Sequence, residues 1–428
     1  MQWLKEIPSH WEIEPFGRHF AYGKGLPITK ADLTPEGVAV ISYGQVHSKL
    51  NTGSSISRDL VRYVSSVYLE SHPQCLLVKG DFVFADTSED IEGSGNFAFN
   101  DFAEKIFAGY HTVVVRPKDL SFPRYYAYLF QSLNWKGQIQ SLVNGVKVYS
   151  INKGHLKKTY LLIPPLAEQK QIVRYLEDKT SKIDAYVSEK EKEILLLQEL
   201  KQKTIADAVT KGLNPDVKMK DSGISWIGEI PEHWEVMRAK FMFKKNKREC
   251  RPEDEVITCF RDGQVTLRKN RRLTGFTESE KYDGYQGIRK GDLVIHQMDA
   301  FAGSIGVSDS DGMGTSVYHC CTPTGDYDVY YYAYLIRQMA KSGFIQSLYK
   351  GIRERSSDFS FPVFGNQYLI IPSLDEQRSI VSYIEEKCQK IDSLTTELQS
   401  EIDYLKEYKQ RLIADCVTGQ INVQKEVT

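Results

Sequence analysis

The chain has 428 residues, 41% of them hydrophobic and 26% charged, and a formal net charge of −1. That length supports two or more domains with their own cores, and the composition is that of a globular protein rather than a disordered one. No apolar run reaches membrane-spanning length, Met1-Gln2-Trp3-Leu4-Lys5-Glu6 lacks a signal peptide's apolar core, and the seven cysteines include no C-x-x-C pair, so a cytoplasmic protein without a disulfide or zinc framework is expected.

The chain opens with Ile7-Pro8-Ser9-His10-Trp11-Glu12-Ile13, and the phrase returns as Ile230-Pro231-Glu232-His233-Trp234-Glu235-Val236. Its Pro, His and aromatic residues are read as a packed lead-in to each half, not as chemistry. The first globular stretch, roughly 14 to 162, alternates apolar and polar residues between glycines, which predicts strands at Val38–Tyr43, Cys75–Val78, Phe82–Ala85 and His111–Val115.

From Ile163-Pro164-Pro165-Leu166-Ala167-Glu168-Gln169 the pattern changes to a heptad. Ile172, Leu176, Ile183, Val187, Ile194 and Leu197 form one narrow apolar stripe, which predicts a helix from Ile172 to Val209 about 57 Å long. A turn-rich linker from Gly212 to Gly228 leads to a second globular stretch, roughly 237 to 370, that repeats landmarks of the first. Gly80-Asp81-Phe82-Val83 is answered by Gly291-Asp292-Leu293-Val294, and Tyr125-Tyr126-Ala127-Tyr128-Leu129 by Tyr331-Tyr332-Ala333-Tyr334-Leu335. The segments between landmarks differ, notably Thr87 to Asn96 against Gln297 to Gly306, and Gly145 to Lys153 against Gly351 to Ser360. Divergent loops on a common scaffold suit two recognition domains with different targets.

Residues 371 to 422, beginning Ile371-Pro372-Ser373-Leu374-Asp375-Glu376-Gln377, match residues 163 to 214 at 26 of 52 positions with a constant offset of 208. The second seam is Ile380, Ile384, Ile391, Thr395, Ile402 and Leu405. A helix so narrowly apolar needs a partner, and the other copy, antiparallel, is the economical one. The chain is therefore expected in the α+β class: two globular α/β domains separated by an antiparallel pair of long coiled-coil helices, with an internal pseudo-twofold repeat. The segments run 1–162, 163–214, 215–370 and 371–428.

Charge is segregated despite the near-zero total. Both globular stretches are mildly basic, whereas the helical copies are neutral and acidic. Basic residues cluster at Lys244-Lys245-Asn246-Lys247-Arg248 and Arg268-Lys269-Asn270-Arg271-Arg272, as phosphate contacts require. Gln45, Gln264, Arg353, Arg355 and Lys147 are candidate readers of base edges, because Gln and Arg make paired hydrogen bonds to adenine and guanine. Catalysis finds no support. There is no D/N-P-P-Y/F loop, no G-x-x-x-x-G-K-[ST], no H-E-x-x-H, and no acid, base and nucleophile set.

The repeated Ile-Pro-x-His-Trp-Glu (7 to 12 and 230 to 235), the repeated Ile-Pro-x-Leu-x-Glu-Gln (163 to 169 and 371 to 377) and the helix ends Ile205-Ala206-Asp207 and Ile413-Ala414-Asp415 resemble the DNA-specificity subunits of type I restriction-modification systems over the whole chain. The resemblance implies two target-recognition domains, each reading one half of a bipartite duplex sequence. The helices would act as a ruler between half-sites about one helical turn, near 34 Å, apart, and would dock two methyltransferase subunits. It implies no catalysis or cofactor on this chain; S-adenosylmethionine, ATP and magnesium would belong to the methyltransferase and the restriction/translocase partners. At loop level it points to Lys24, Tyr43, Gln45, Lys49, Thr87, Ser88, Lys147 and Tyr149 in the first domain. In the second it points to Lys245, Arg261, Gln264, Arg268, Lys269, Arg271, Arg272, Gln297, Arg353 and Arg355. The alternatives are a non-catalytic coiled-coil scaffold that binds nucleic acid without specificity, and a degenerate nuclease.

Overall fold

The computed structural model describes residues 7–53, 55–118, 121–145, 148–271, 284–348 and 358–426. The candidates Lys147, Arg272, Arg353 and Arg355 lie outside these residues.

Two helices dominate the chain, Leu166–Lys211 of 46 residues and Leu374–Val417 of 44. Each starts directly after the Pro-containing motif, where proline cannot extend a helix backwards. Each is followed by a left-handed glycine, Gly212 at φ 76° and Gly419 at φ 73°. A Cβ on Gly212 would lie 3.2 Å from the Trp234 ring and one on Gly419 3.3 Å from the Trp11 ring, so the tryptophans of the repeated lead-in close the two helix ends.

The chain divides into two compact units, Met1–Glu191 with Gln399–Thr428, and Lys192–Leu398. Each unit thus holds one globular domain, the opening part of the helix that follows it and the closing part of the other helix. In the first unit, Lys409 Nζ bonds both carboxylate oxygens of Asp184 (2.6 Å each) and Lys406 reaches Glu191 (3.1 Å). One number rises as the other falls, so these helix segments run antiparallel. In the second unit Lys201 bonds Asp392 (2.6 Å), and Ile205 and Val209 share a core with Ile380 and Ile384, again antiparallel. Asp184 and Asp392 differ by 208, as do Lys201 and Lys409, so the two ion pairs are copies of each other.

The seam residues face inward as their spacing predicts. Ile172, Leu176, Ile183, Val187, Ile380, Ile384 and Ile402 are buried; Ile194, Leu197, Ile391, Thr395 and Leu405 are half-buried. Further residues on the helices are buried as well, Ala208, Val209, Leu398, Leu412, Ile413 and Cys416, and widen the stripe.

The lead-in and the helix start are held together in both halves. Glu12–Pro15 pairs antiparallel with Tyr160–Ile163, and Glu235–Arg238 with Tyr368–Ile371. His10 bonds Glu168 (2.9 Å), and His233 bonds Glu376 (2.8 Å), which also accepts from Trp234 Nε1 (3.3 Å). Gln169 and Gln377 donate to the carbonyls of Pro164 and Pro372 at 2.8 Å. The chain therefore enters and leaves each domain side by side.

Each domain is built on a four-stranded antiparallel sheet of the same order. The first runs Phe20–Lys24, Thr112–Pro117, Phe82–Ala85, Phe97–Phe99; the second runs Phe243–Asn246, Tyr318–Pro323, Leu293–His296, Ile305–Val307. The repeated Tyr-Tyr-Ala-Tyr-Leu lies on helices Pro123–Gln131 and Val329–Lys341, where Tyr125 and Tyr331 donate to the carbonyls of Val417 (3.2 Å) and Val209 (2.8 Å) in the last helical turns. Those carbonyls lack helical partners, and the buried phenols satisfy them. The first unit adds a five-stranded sheet, Leu33–Thr34, Arg62–Val64, Val38–Ile41, Ile106–Ala108, Leu76–Leu77, with one parallel pairing between Ile106–Ala108 and Val38–Ile41. The second has two two-stranded pairings at that stage of the chain, the hairpin of Ile257–Cys259 with Val265–Leu267 and the antiparallel pair of Gln286–Ile288 with Gly312–Gly314.

Three predicted strands shift. The strand from Val38 stops at Ile41, because Ser42 starts a helical turn over Tyr43–Val46. Cys75 belongs to a Pro73-led 3-10 turn, leaving Leu76–Leu77 as strand. His111 sits at φ 53° in a turn, so its strand starts at Thr112.

Candidate nucleic-acid interface

In the first unit, the divergent loops converge. Thr87–Ser88 pairs antiparallel with Tyr149–Ser150, so the loops that begin at Thr87 and Gly145 form one short ribbon. The turn Tyr43–Val46 joins it through His47, whose ring nitrogens meet the Thr87 carbonyl (2.7 Å) and Asn96 Nδ2 (3.1 Å). Tyr43 packs edge-on against Tyr110 (5.6 Å) and His111 (5.5 Å). Tyr43, Gln45, Thr87, Ser88 and Tyr149 are therefore gathered into one surface. Ser88 is buried, Tyr43, Gln45, Thr87 and Tyr149 are half-buried, and Lys24 and Lys49 are exposed. Lys24 ends the strand paired with Val113.

Gln45 has a local task. Its side-chain carbonyl accepts from the Ser42 backbone N–H (3.0 Å) and closes the helical turn, as a capping-box residue does. Paired readout of adenine needs both ends of the amide, and here only the NH2 end is left.

In the second unit, Phe260 to Gln264 form the tip of the hairpin Ile257–Cys259 and Val265–Leu267. Gly263 has φ 94°, and a Cβ there would lie 2.4 Å from the Arg337 guanidinium, which packs under the tip. Asp262 accepts from the Gln264 N–H (3.1 Å) and from Arg271 (2.7 Å). Burial raises the Asp262 pKa, but these two donors outweigh it and hold the carboxyl below its ordinary value. Arg271 also covers the Phe260 ring at 4.3 Å, and Arg261 pairs with Asp299 at 3.1 Å. The turn is braced on three sides, and the exposed Gln264 amide makes no hydrogen bond among the described residues.

Much of the basic cluster is compensated within the protein. Lys269 pairs with Glu255, and Arg248 pairs with the buried Asp292. Lys244 and Lys245, on the edge strand Phe243–Asn246, are exposed, and Arg268 is half-buried. Gln297 Nε2 donates to Asp358, while the Gln297 carbonyl accepts from the Phe359 N–H (3.1 Å), so here too the two divergent segments meet. Beneath them His319 Nε2 bonds the Phe359 carbonyl (3.2 Å) and Nδ1 is buried without a partner. Burial, with Lys245 nearby, lowers its pKa to about 4.

The sequence reading did not single out His47, Asn96, His111, Asp299, Asp358 or Arg337 as site residues. A lone polar residue carries no periodic signal, and these act through partners distant in the chain. Among the described residues no cluster of His, Cys, Asp or Glu is arranged to hold a metal, and no helix is long and apolar enough to cross a membrane.

The type I restriction modification DNA specificity domain matches residues 20–196. The putative type I restriction enzyme MjaX specificity subunit of Methanocaldococcus jannaschii is 28% identical over 238 residues, covering 55% of this chain and 53% of that relative, so the match spans about half of the relative's length. A solved chain from work on complex assembly and conformational transition of the type I R-M system superposes with a TM-score of 0.68 at 16% identity, covering 97% of this chain and 100% of that one. The HsdS subunit from Thermoanaerobacter tengcongensis gives a TM-score of 0.53 at 16% identity, with coverage of 97% and 99%. These two likenesses establish a shared fold. Residues 20–196 thus match the type I restriction modification DNA specificity domain, and the duplicated motifs and the doubled domain and helix architecture agree with that match.

Proposed function

We propose that this chain is the DNA-recognition subunit of a type I restriction-modification assembly. Each globular domain reads one half of a two-part duplex target, and the long helices set the gap and dock two methyltransferase subunits. The observation that carries this reading is the repeated framework with divergent loops. The same sheet order, the same paired lead-in and the same tyrosine cap occur twice, whereas the tips differ in sequence and charge. Phosphate contacts from lysines such as Lys24, Lys49 and Lys245 supply affinity and register. Side chains such as Gln264 supply discrimination.

Two-fold docking has its own support. Large apolar side chains stay exposed on the helices at positions related by the offset of 208: Tyr186 (42%) with Leu394 (39%), Leu196 (63%) with Tyr404 (71%), and Leu200 (51%) with Tyr408 (55%). Two like surfaces suit two like partners. Methyl transfer, ATP hydrolysis and cleavage then belong to partner subunits, with S-adenosylmethionine, ATP and magnesium bound there and no catalysis on this chain.

The test is a competition gel shift with the chain co-purified with its methyltransferase subunits, at physiological salt. The reading predicts that duplexes carrying the methylated motif of the host compete far better than random duplexes. Equal competition would leave only the non-specific scaffold.

A further inference from the structure

The first unit contains a cavity of about 620 Å3 between the Ser48–Gly53 loop and the paired helices. That size suits a small organic ligand. Four lysines line it, Lys49, Lys136, Lys406 and Lys409, against two carboxylates, Asp184 and Glu407. Two of the lysines are already matched, Lys409 by Asp184 and Lys406 by Glu191 outside the lining. Lys49 and Lys136 form no ion pair among the described residues. Lys136 Nζ donates to a neutral group, the Asn96 Oδ1, at 2.7 Å, and burial lowers its pKa. An ammonium drawn from solvent with only an amide for company is stabilised by an anion arriving beside it.

Lys136 is also the end of a relay. Asn96 Nδ2 donates to His47 Nδ1 (3.1 Å), and His47 Nε2 donates to the Thr87 carbonyl (2.7 Å) at the start of the divergent ribbon. A ligand that draws Lys136 away from Asn96 would loosen that chain of bonds.

We propose that this cavity binds a phosphate ester of mononucleotide size, held by Lys136 and Lys49, and that its occupancy is transmitted through Asn96 and His47 to the Thr87–Ser88 strand. The phosphate can come from a free nucleotide or from the backbone of a bound strand, and the experiment separates the two. Full-length chain is titrated calorimetrically with AMP, with adenosine and with a random duplex over a range of salt, using the wild type, Lys136→Gln and Lys49→Gln. Saturable AMP binding that adenosine does not reproduce, weakened about tenfold or more in either variant, assigns the site to a free nucleotide. Absent AMP binding, together with a salt slope for the duplex reduced by about one in each variant, assigns it to backbone phosphate. If AMP does not bind and the duplex slope is unchanged, the proposal is wrong. Lys49 is exposed, so Lys49→Gln keeps the test decisive if Lys136→Gln fails to fold.

Discussion

At the scale of single residues, the two glutamines flagged as base readers differ in what their surroundings leave them. Gln264 stands on a turn braced by Arg337, Arg271 and Arg261, with its amide unbonded. Gln264→Ala is expected to leave the melting temperature unchanged and to relax selectivity at one position of one half-site by about 1 to 3 kcal/mol, read as new sites in the methylation pattern of the assembled complex. Gln45→Ala should instead cost about 1 kcal/mol of stability, because it removes a cap. The Ser42-Tyr43-Gly44-Gln45 spacing is itself a capping signature, so this role was visible in the chain. His319 makes a pH prediction. Its folded pKa of about 4 lies below the ordinary 6.5, so the unfolded chain holds more protons between those values. The stability its neutral form contributes is complete above about pH 6.5 and is lost as pH falls toward 4, on the order of 3 kcal/mol at the acid end. Denaturant melts of His319→Gln should show a shallower loss over that window, and an unchanged slope would place the acid sensitivity elsewhere.

At the scale of elements, the long helices were the most legible part of the chain. Their heptad needed only spacing, and Pro165, Gly212, Pro372 and Gly419 marked the ends. The lead-in motif was legible as a repeat but not as a mechanism. Its His and Trp turn out to fasten each domain to a helix start and a helix end, through Glu168 or Glu376 and through Gly419 or Gly212. Long-range contacts of this kind leave no period to detect. The recognition loops were the least legible, because the ribbon of Thr87–Ser88 and Tyr149–Ser150 joins segments that have no local pattern in common. The helices carry a direct test of the ruler. Inserting four residues after Val187 and four after Thr395 lengthens each helix by about 6 Å, and the gap in the methylated sequence should widen. An unchanged gap would show that spacing is set elsewhere.

At the scale of the whole molecule, each globular domain is attached as a module. The second domain enters through Glu235–Arg238 and leaves through Tyr368–Ile371, paired strands whose ladder and His233–Glu376 bond repeat those of the first domain. Its own core includes the fully buried Trp234, Tyr331 and Tyr332 and draws on both helices. A replacement domain with the same lead-in and the same tyrosines should therefore seat in the same way. The most direct measurement exchanges residues 237–370 for the corresponding stretch of another family member and sequences the methylome of cells carrying the chimaera with its methyltransferase subunits. The account predicts that one half of the methylated motif changes while the other half and the gap stay as they were. A change in both halves, or in neither, would contradict it.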